Sequence, residues 1–551
     1  MKAQTISGML RERAESDPDK PHVKFDGDWL SVSHVDAASD RAAAGLVSLG
    51  VKKGDRIGFF LANCEALIVL FYACAKVGAV YVPLNIFLKG RFLEYQLHDA
   101  GVTVVVVDHD GLTAALPILD NTSVSDIVVV GSTDAETRCN TISYESLVAS
   151  DAQVPAEERA PRELAAILYT SGTTGAPKGC MLPDGYFSQL PSALCEAGWA
   201  VAGDTIVTSF PMFHVSAVGA LLSALVSDAS VCFQTTFSAS TFMANAKAQG
   251  ATAVWGVGAM ASSILAQPPS PTDGDCSMRM ALWVPLSVEQ QEAFQRRFST
   301  PVLSAGYGQT EVSPLTISSL QGPRKPGSAG GCVSYLELAV IDDDDMMVPP
   351  GGVGEIVVRP ANPNVYFFQG YWNNPQATLD AFRNLWHHTG DYGSVDEDGF
   401  VTFVDRKKDS VRRRGENVSS FEVEAAIAEH PGVQQVAITA VSSPLGEDDI
   451  RASIVTKPGC TLEPEELFEF FCDRLPYFAV PRYVDFRESV PVNALNKVMK
   501  HVLREEGLPV SAWDFEELGF SISRDQRRGS GATAGSVGAL TGSSLHRGAG
   551  Q

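Results

Sequence analysis

Several ordinary signals are missing from this chain. None of its ten cysteines stands in a Cys-x-x-Cys pair; they are scattered from Cys64 and Cys74 to Cys460 and Cys472. That spacing excludes a structural zinc ribbon and a disulfide framework, and scattered thiols suit a reducing cytosol. Positive charge is scarce, with 42 Lys and Arg against 65 Asp and Glu and a formal net charge of −23. A chain this acidic repels phosphate backbones, so no nucleic-acid partner is expected. Long apolar runs are missing too. The most apolar stretch, 57–84, is broken by Asn63, Glu65 and Lys76. It reads as core, and no stable membrane insertion is expected. From Met1 to Ile6 the chain has no apolar signal core before charged residues begin. Together these features predict a cytoplasmic protein.

At 551 residues the chain is too long for one core, so two or more domains are expected. Apolar and small residues recur at helical spacing from Ser31 to Leu49, and a turn follows at Gly50–Arg56. Ile57–Leu61 and Gly78–Leu84 read as strands around a buried helix, Glu65–Val77, and Val102–Val107 is a nearly unbroken β-branched run. Alternation of strand and helix predicts a parallel α/β sheet with both faces covered. The acid run Asp342–Asp345 before Pro349-Pro350-Gly351-Gly352 reads as a solvated hairpin rather than a metal site.

One stretch organises the rest. After the apolar run Ala165-Ala166-Ile167 comes Leu168-Tyr169-Thr170-Ser171-Gly172-Thr173-Thr174-Gly175-Ala176-Pro177-Lys178-Gly179. Glycines let backbone N–H groups converge on an anion, hydroxyls add donors, and a lysine adds a point charge. This is neither the Gly-x-x-x-x-Gly-Lys-Ser/Thr phosphate loop nor the Gly-x-Gly-x-x-Gly dinucleotide turn. Its wording resembles the signature loop of the adenylate-forming superfamily, which includes acyl-CoA synthetases, adenylation domains and beetle luciferases.

Further motifs follow in that family's order. Tyr307-Gly308-Gln309-Thr310-Glu311 resembles its Tyr-Gly-x-Thr-Glu string. A carboxylate such as Glu311 suits Mg²⁺, which takes few protein oxygens alongside phosphates and water. Tyr307 offers a face to adenine. Trp386-His387-His388-Thr389-Gly390-Asp391 resembles the Trp-Phe-x-Thr-Gly-Asp motif, whose aspartate accepts from ribose hydroxyls. Pro211-Met212-Phe213-His214 implies a histidine lining the acyl pocket near the incoming carboxylate. Arg406 is implied at the ribose and Lys408 as a hinge. Gly415 is implied in the thioester-forming loop, after arginines that could meet CoA phosphates. Lys497 is implied between carboxylate and α-phosphate. Within that family, the spacing and wording resemble crotonobetaine/carnitine–CoA ligases and related bacterial acyl-CoA ligases.

The resemblance implies a large N-terminal domain, 1–405, of layered α/β structure with a small β-barrel part. It also implies a small mobile α+β lid, 406–510. The Gly/Ser-rich end, 511–551, reads as a disordered tail. The expected activity is an ATP-dependent carboxylic acid–CoA ligase with ATP, Mg²⁺ and coenzyme A as its cofactors, working alone or as a homodimer. Expected catalytic residues are Lys497, Glu311, Thr310 and His214, with Glu311 and Thr170 at the metal. Nucleotide and CoA contacts are expected from Thr170, Ser171, Gly172, Thr173, Thr174, Gly175, Lys178, Tyr307, Gly308, Gln309, Asp391, Arg406 and Gly415. The acyl lining is expected from His214, Val215, Trp255, Gly256, Val284, Ala305, Gly306 and Val312, compatible with a medium-length or cyclic acid. Departures stand at Trp283, Asp184 and Asn496. Bulk at Trp283 is expected to reshape the nucleotide or acyl pocket. These departures leave open transfer to an external carrier protein, or a homologue that binds an adenylate without making one.

Overall fold

The computed structural model describes residues 4–522, apart from 26, 134, 136, 150–158, 171–176, 277, 407–410, 414–415, 419, 443–447, 476–478 and 493–497. The chain divides into two compact units, Met1–Lys408 with Val492–Lys497 and Asp409–Pro491 with Val498–Gln551.

Two seven-stranded sheets build the first unit. One runs in the order Asn140–Ser143, Asp126–Val129, Val104–Val107, Arg56–Phe60, Val80–Pro83, Leu164–Thr170 and Lys178–Pro183. All its neighbours are parallel except the last pair. The other runs Val302–Leu303, Met280–Val284, Ala253–Val257, Thr205–Thr208, Ser230–Phe233, Pro21–Lys24 and Leu30–Ser31, again parallel up to its last pair. Parallel strands covered on both faces need apolar residues throughout, which is why 104–107 is four valines, all buried.

The helix Glu65–Val77 lies in the core shared by both sheets, and every residue but Glu65 is buried. An all-round apolar helix has no solvent face to present. It stops at Gly78, whose φ of +74° closes the helix in a left-handed turn. Helix Val215–Ser227 joins the same core. The expected hairpin at Asp342–Asp345 joins Leu336–Ile341 to Gly354–Pro360 in a five-stranded antiparallel sheet. Beside these, Gly306–Tyr307 heads a three-stranded sheet.

The second unit has a four-stranded sheet, Val433–Ser442, Asp448–Thr456, Tyr483–Phe486 and Trp513–Asp514, covered by helices Ser420–Ala428 and Pro464–Arg474. Its packed structure runs past residue 510, the expected start of the tail. Trp513 pairs with Val484, Phe515 is buried, and Phe520 packs on Phe468 and Phe515. Composition hid this, because three aromatics within eight residues anchor a polar segment.

Candidate active site

The strand Leu164–Thr170 turns back antiparallel into Lys178–Pro183, with Thr170 opposite Lys178. Both stems of the intervening loop are fastened to helix Arg91–Asp99. Tyr169 donates to Asp99 Oδ2 at 2.6 Å, and Tyr95 donates to the carbonyl of Pro177 at 3.3 Å. Gly179 is required by a close approach, since a Cβ there would lie 2.7 Å from Ile167 Cγ2. Lys178 Nζ stands 4.9 Å from the centre of the Tyr371 ring, a cation over an aromatic face.

Tyr371 also reaches Glu311. Its hydroxyl donates to Glu311 Oε1 at 2.7 Å, and an isolated bridge between Cys180 and Tyr371 holds the two segments together. Burial, and then the charge of Glu311, push the Cys180 thiol well above its ordinary range, so it stays protonated beside the carboxylate. Thr310 is fixed through its backbone, its carbonyl accepting from Tyr186 at 3.1 Å. Reciprocal backbone bonds between Gln309 and Val312 close the turn that carries Thr310 and Glu311.

Asp391 forms a second polar centre. Tyr307 donates to its Oδ2 at 2.5 Å, and Gln309 Nε2 donates to the same oxygen at 2.7 Å and to the Thr389 carbonyl at 2.7 Å. The turn presenting Asp391 is held from below. Gly390 sits at φ +68° and donates its N–H to Glu355 Oε1, while Thr389 Oγ1 donates to the Ile356 carbonyl at 2.6 Å. His388 Nδ1 lies 3.2 Å from the other oxygen of Glu355. The carboxylate of Asp391 is thus preorganised, an acceptor suited to a vicinal diol. Arg406 is opposite Asp391 in the strand register.

On the other side, His214 directly precedes helix Val215–Ser227 without a side-chain capping bond, and the centre of its ring lies 4.7 Å from that of Phe213. Its Nε2 has no partner, and burial lowers the imidazole to about 4, leaving it neutral at pH 7. Trp255 is register partner to Thr208, at the end of the strand leading to His214.

Two expected departures from the site prove remote from it. Side chains alternate along Met280–Val284: Leu282 and Val284 face the inter-sheet core, whereas Trp283 turns to the opposite face. There it packs on Phe242 and Phe294 and fills the space that Gly256 leaves, where a Cβ would lie 2.2 Å from Trp283 Cζ3. Trp283 therefore does not reshape the pocket, and Gly256 acts as its seat. Asp184 is fully buried. Its carboxylate pairs with Arg159 at 3.0 Å and accepts the N–H of Ile6 at 2.7 Å, anchoring the first helix.

The structure brings Thr170, Lys178 and Glu311 together through Cys180 and Tyr371, and Tyr307, Gln309 and Asp391 together directly. Ser171, Gly172, Thr173, Thr174, Gly175, Lys408, Gly415, Asn496 and Lys497 lie outside the described residues, as does the side chain of Arg406. Sequence reasoning missed Tyr371 and Glu355. Tyr371 stands in Gly370-Tyr371-Trp372 and Glu355 follows a strand-opening glycine, but neither signals its distant partner. Among the described residues no cluster of three metal-ligating side chains occurs, and no helix is long and apolar enough to cross a membrane.

Comparison with known proteins gives a consistent picture. Residues 10–372 match the family model "AMP-binding enzyme", and residues 422–497 match "AMP-binding enzyme C-terminal domain". The crotonobetaine/carnitine–CoA ligase of Salmonella arizonae is 31% identical over 88% of this chain and 96% of its own. A feruloyl-CoA synthase from an Amycolatopsis species is 30% identical over 92% and 99%. Among solved structures, ATP-bound MatB from Rhodopseudomonas palustris superposes with a TM-score of 0.80 at 28% identity, covering 91% of this chain and 98% of that one.

Proposed function

The chain belongs to the AMP-binding enzyme family as an AMP-forming acid–thiol ligase, and on that premise we propose that it joins a carboxylic acid to coenzyme A in two half-reactions. In the first, the acid's carboxylate oxygen attacks the α-phosphorus of ATP, giving acyl-adenylate and pyrophosphate. In the second, the CoA thiol attacks the activated carbonyl, a thioester forms and AMP leaves. The observation that carries this reading is the cluster of Tyr307, Gln309 and Asp391 across 84 residues of sequence. It matches what a ribose and its base require.

Each residue then has a task. Asp391, held by Tyr307 and Gln309, accepts from the ribose diol, and Tyr307 lies along adenine. The loop hydroxyls Thr170, Ser171 and Thr173 donate to phosphate oxygens, with Lys178 adding charge. One carboxylate with nearby hydroxyls is the donor set Mg²⁺ prefers when phosphates fill the remaining positions, so Glu311 and Thr170 fit it. Bound there, the ion would neutralise phosphate charge. Thr310 donates toward the α-phosphate. His214, neutral at pH 7, lines the carboxylate's approach rather than repelling or pairing with it. Lys497 offsets the two anions as they meet. By resemblance to the family, a C-terminal lid then turns about Lys408 and exchanges Lys497 for Gly415 at the reacting carbonyl, a step of the kind that often limits turnover.

The test incubates the full chain with ATP, Mg²⁺, CoA and a panel of carboxylic acids, following acyl-CoA, acyl-AMP and AMP by mass spectrometry. Acyl-CoA with an equal amount of AMP is expected. Acyl-AMP accumulating without acyl-CoA would overturn CoA as the acceptor.

A further inference from the structure

In open α/β folds, ligands bind in a crevice outside the carboxyl ends of the parallel strands. Val215, Val257, Val284 and Gly306 are partly exposed by those ends of the second sheet, with Val257 and Val284 in register on neighbouring strands. Two tryptophans lie beneath them. Trp255 is 2% exposed and Trp199 is 7% exposed, and their rings meet edge to face at 6.3 Å and 85°.

Trp199 is locked in place. Its indole N–H donates to the Ser318 carbonyl at 2.7 Å. A methyl group added to Gly306 would lie 2.7 Å from Trp199 Cη2, so no room for a chain passes between that ring and the Gly306–Tyr307 strand. Packed interiors leave few voids larger than a water.

The two indoles differ in one respect. Trp255 Nε1 is buried without a partner, and so is His214 Nε2 at the same strand ends. A buried polar group left unsatisfied destabilises the free protein, and a ligand atom would offset that cost. Trp283 also has an unpartnered indole N–H, but it is sealed on the opposite face among Phe242 and Phe294 with no second orphan in that cluster. Trp255 lies instead in the core cluster against which Val215, the residue after His214, is packed.

We propose that Trp199 and Trp255 set the acyl specificity of this enzyme. The acid is compact, a short chain or a single ring, and carries a hydrogen-bond acceptor that meets the indole N–H of Trp255. This rests on the ligase reading above. Long, purely apolar acids are poor substrates because, on this reading, the crevice ends on the indole pair and leaves the N–H unpartnered.

The test measures acid-dependent ATP–pyrophosphate exchange in the full chain with hexanoate, 5-oxohexanoate, benzoate, 4-hydroxybenzoate and decanoate. At least one polar member should exceed its apolar counterpart, and decanoate should be the weakest. Trp255→Phe keeps the ring and the packing but removes the N–H, and should cut the polar-over-apolar preference about tenfold, the worth of one neutral hydrogen bond. Trp255→Ala, with AMP binding by calorimetry as its folding check, should raise decanoate activation about tenfold or more relative to the short acids. Decanoate used by the wild type as well as the short acids would overturn the proposal and leave the ligase reading standing. So would a Trp255→Phe enzyme with its polar preference intact. No exchange with any acid, despite AMP binding, would overturn the ligase reading and this proposal with it.

Discussion

The two sides of the candidate site are built on opposite plans. On the nucleotide side, the carboxylates that would meet the ligand are bonded to their neighbours, Asp391 to Tyr307 and Gln309 and Glu311 to Tyr371, and Gly390 is tied to Glu355, while the unpartnered His387 is packed behind them among phenylalanines. On the acyl side, His214 Nε2 and Trp255 Nε1 are buried and unpartnered among apolar side chains. A satisfied network is already in the geometry its ligand needs and loses little on binding. Unpartnered groups carry a standing cost that only the right ligand removes, which is a basis for discrimination. On the function proposed above, the nucleotide side would serve a ligand that never varies and the acyl side would select.

The largest effect that would test this division comes from Lys497→Ala. Losing the cation that offsets two approaching anions should slow adenylation by roughly two to three orders of magnitude. Thioester formation from supplied acyl-AMP should persist, as rapid-quench assays of each half-reaction would show. Equal loss of both halves would break the assignment of Lys497 to the first.

A smaller effect is expected from Tyr371→Phe. The hydroxyl's bond to Glu311 orients the carboxylate that would hold Mg²⁺. Without it, the Mn²⁺ concentration needed for half-saturation in the presence of ATP, read by electron paramagnetic resonance, should rise about tenfold, the usual worth of a hydrogen bond to a charged group. Unchanged Mn²⁺ affinity would mean that Tyr371 only packs.

The smallest concerns stability and separates packing from function on the nucleotide side. His387 sits among Phe367, Phe368 and Phe382, with neither ring nitrogen partnered, and burial followed by the neighbouring His388 lowers it to about 3. Between pH 6.5 and that value the unfolded histidine binds a proton that the folded one does not. Stability therefore falls as pH drops through this window, by at most about 1.4 kcal/mol per pH unit for one proton. His387→Phe should flatten that fall in urea titrations at pH 7, 6 and 5 while leaving AMP affinity unchanged. His22 and His214 shift the same way, so some acid sensitivity should remain. An unaltered pH profile would show that His387 is not the buried neutral group described.

Much of this was legible in the chain because it is local. The glycine-rich loop, the Tyr307–Glu311 string and the Thr389–Asp391 turn are short segments, and the family is legible in their wording. Alternation of strand and helix up to Val107 is carried by period and by β-branched runs. What was not legible depends on contacts between distant segments. Tyr371 meets Glu311 from 60 residues away, Glu355 meets Gly390 from 35, and Trp199 meets Trp255 only once both sheets exist. Trp283 was misjudged by one residue of strand parity, because a bulky residue in a motif looks like pocket lining until its face is known. Asp184 looked like an altered site residue and is a buried partner of Arg159.

The central claim is that one side holds the nucleotide and the other chooses the acid. Its most direct test pairs Asp391→Asn with Trp255→Ala, measuring AMP affinity by calorimetry and relative exchange rates across the acid panel for both. Asp391→Asn should weaken AMP about tenfold or more and leave the order of acids unchanged, the loss expected for a charged acceptor. Trp255→Ala should keep AMP affinity and reorder the acids. Either variant shifting both quantities together would contradict the division.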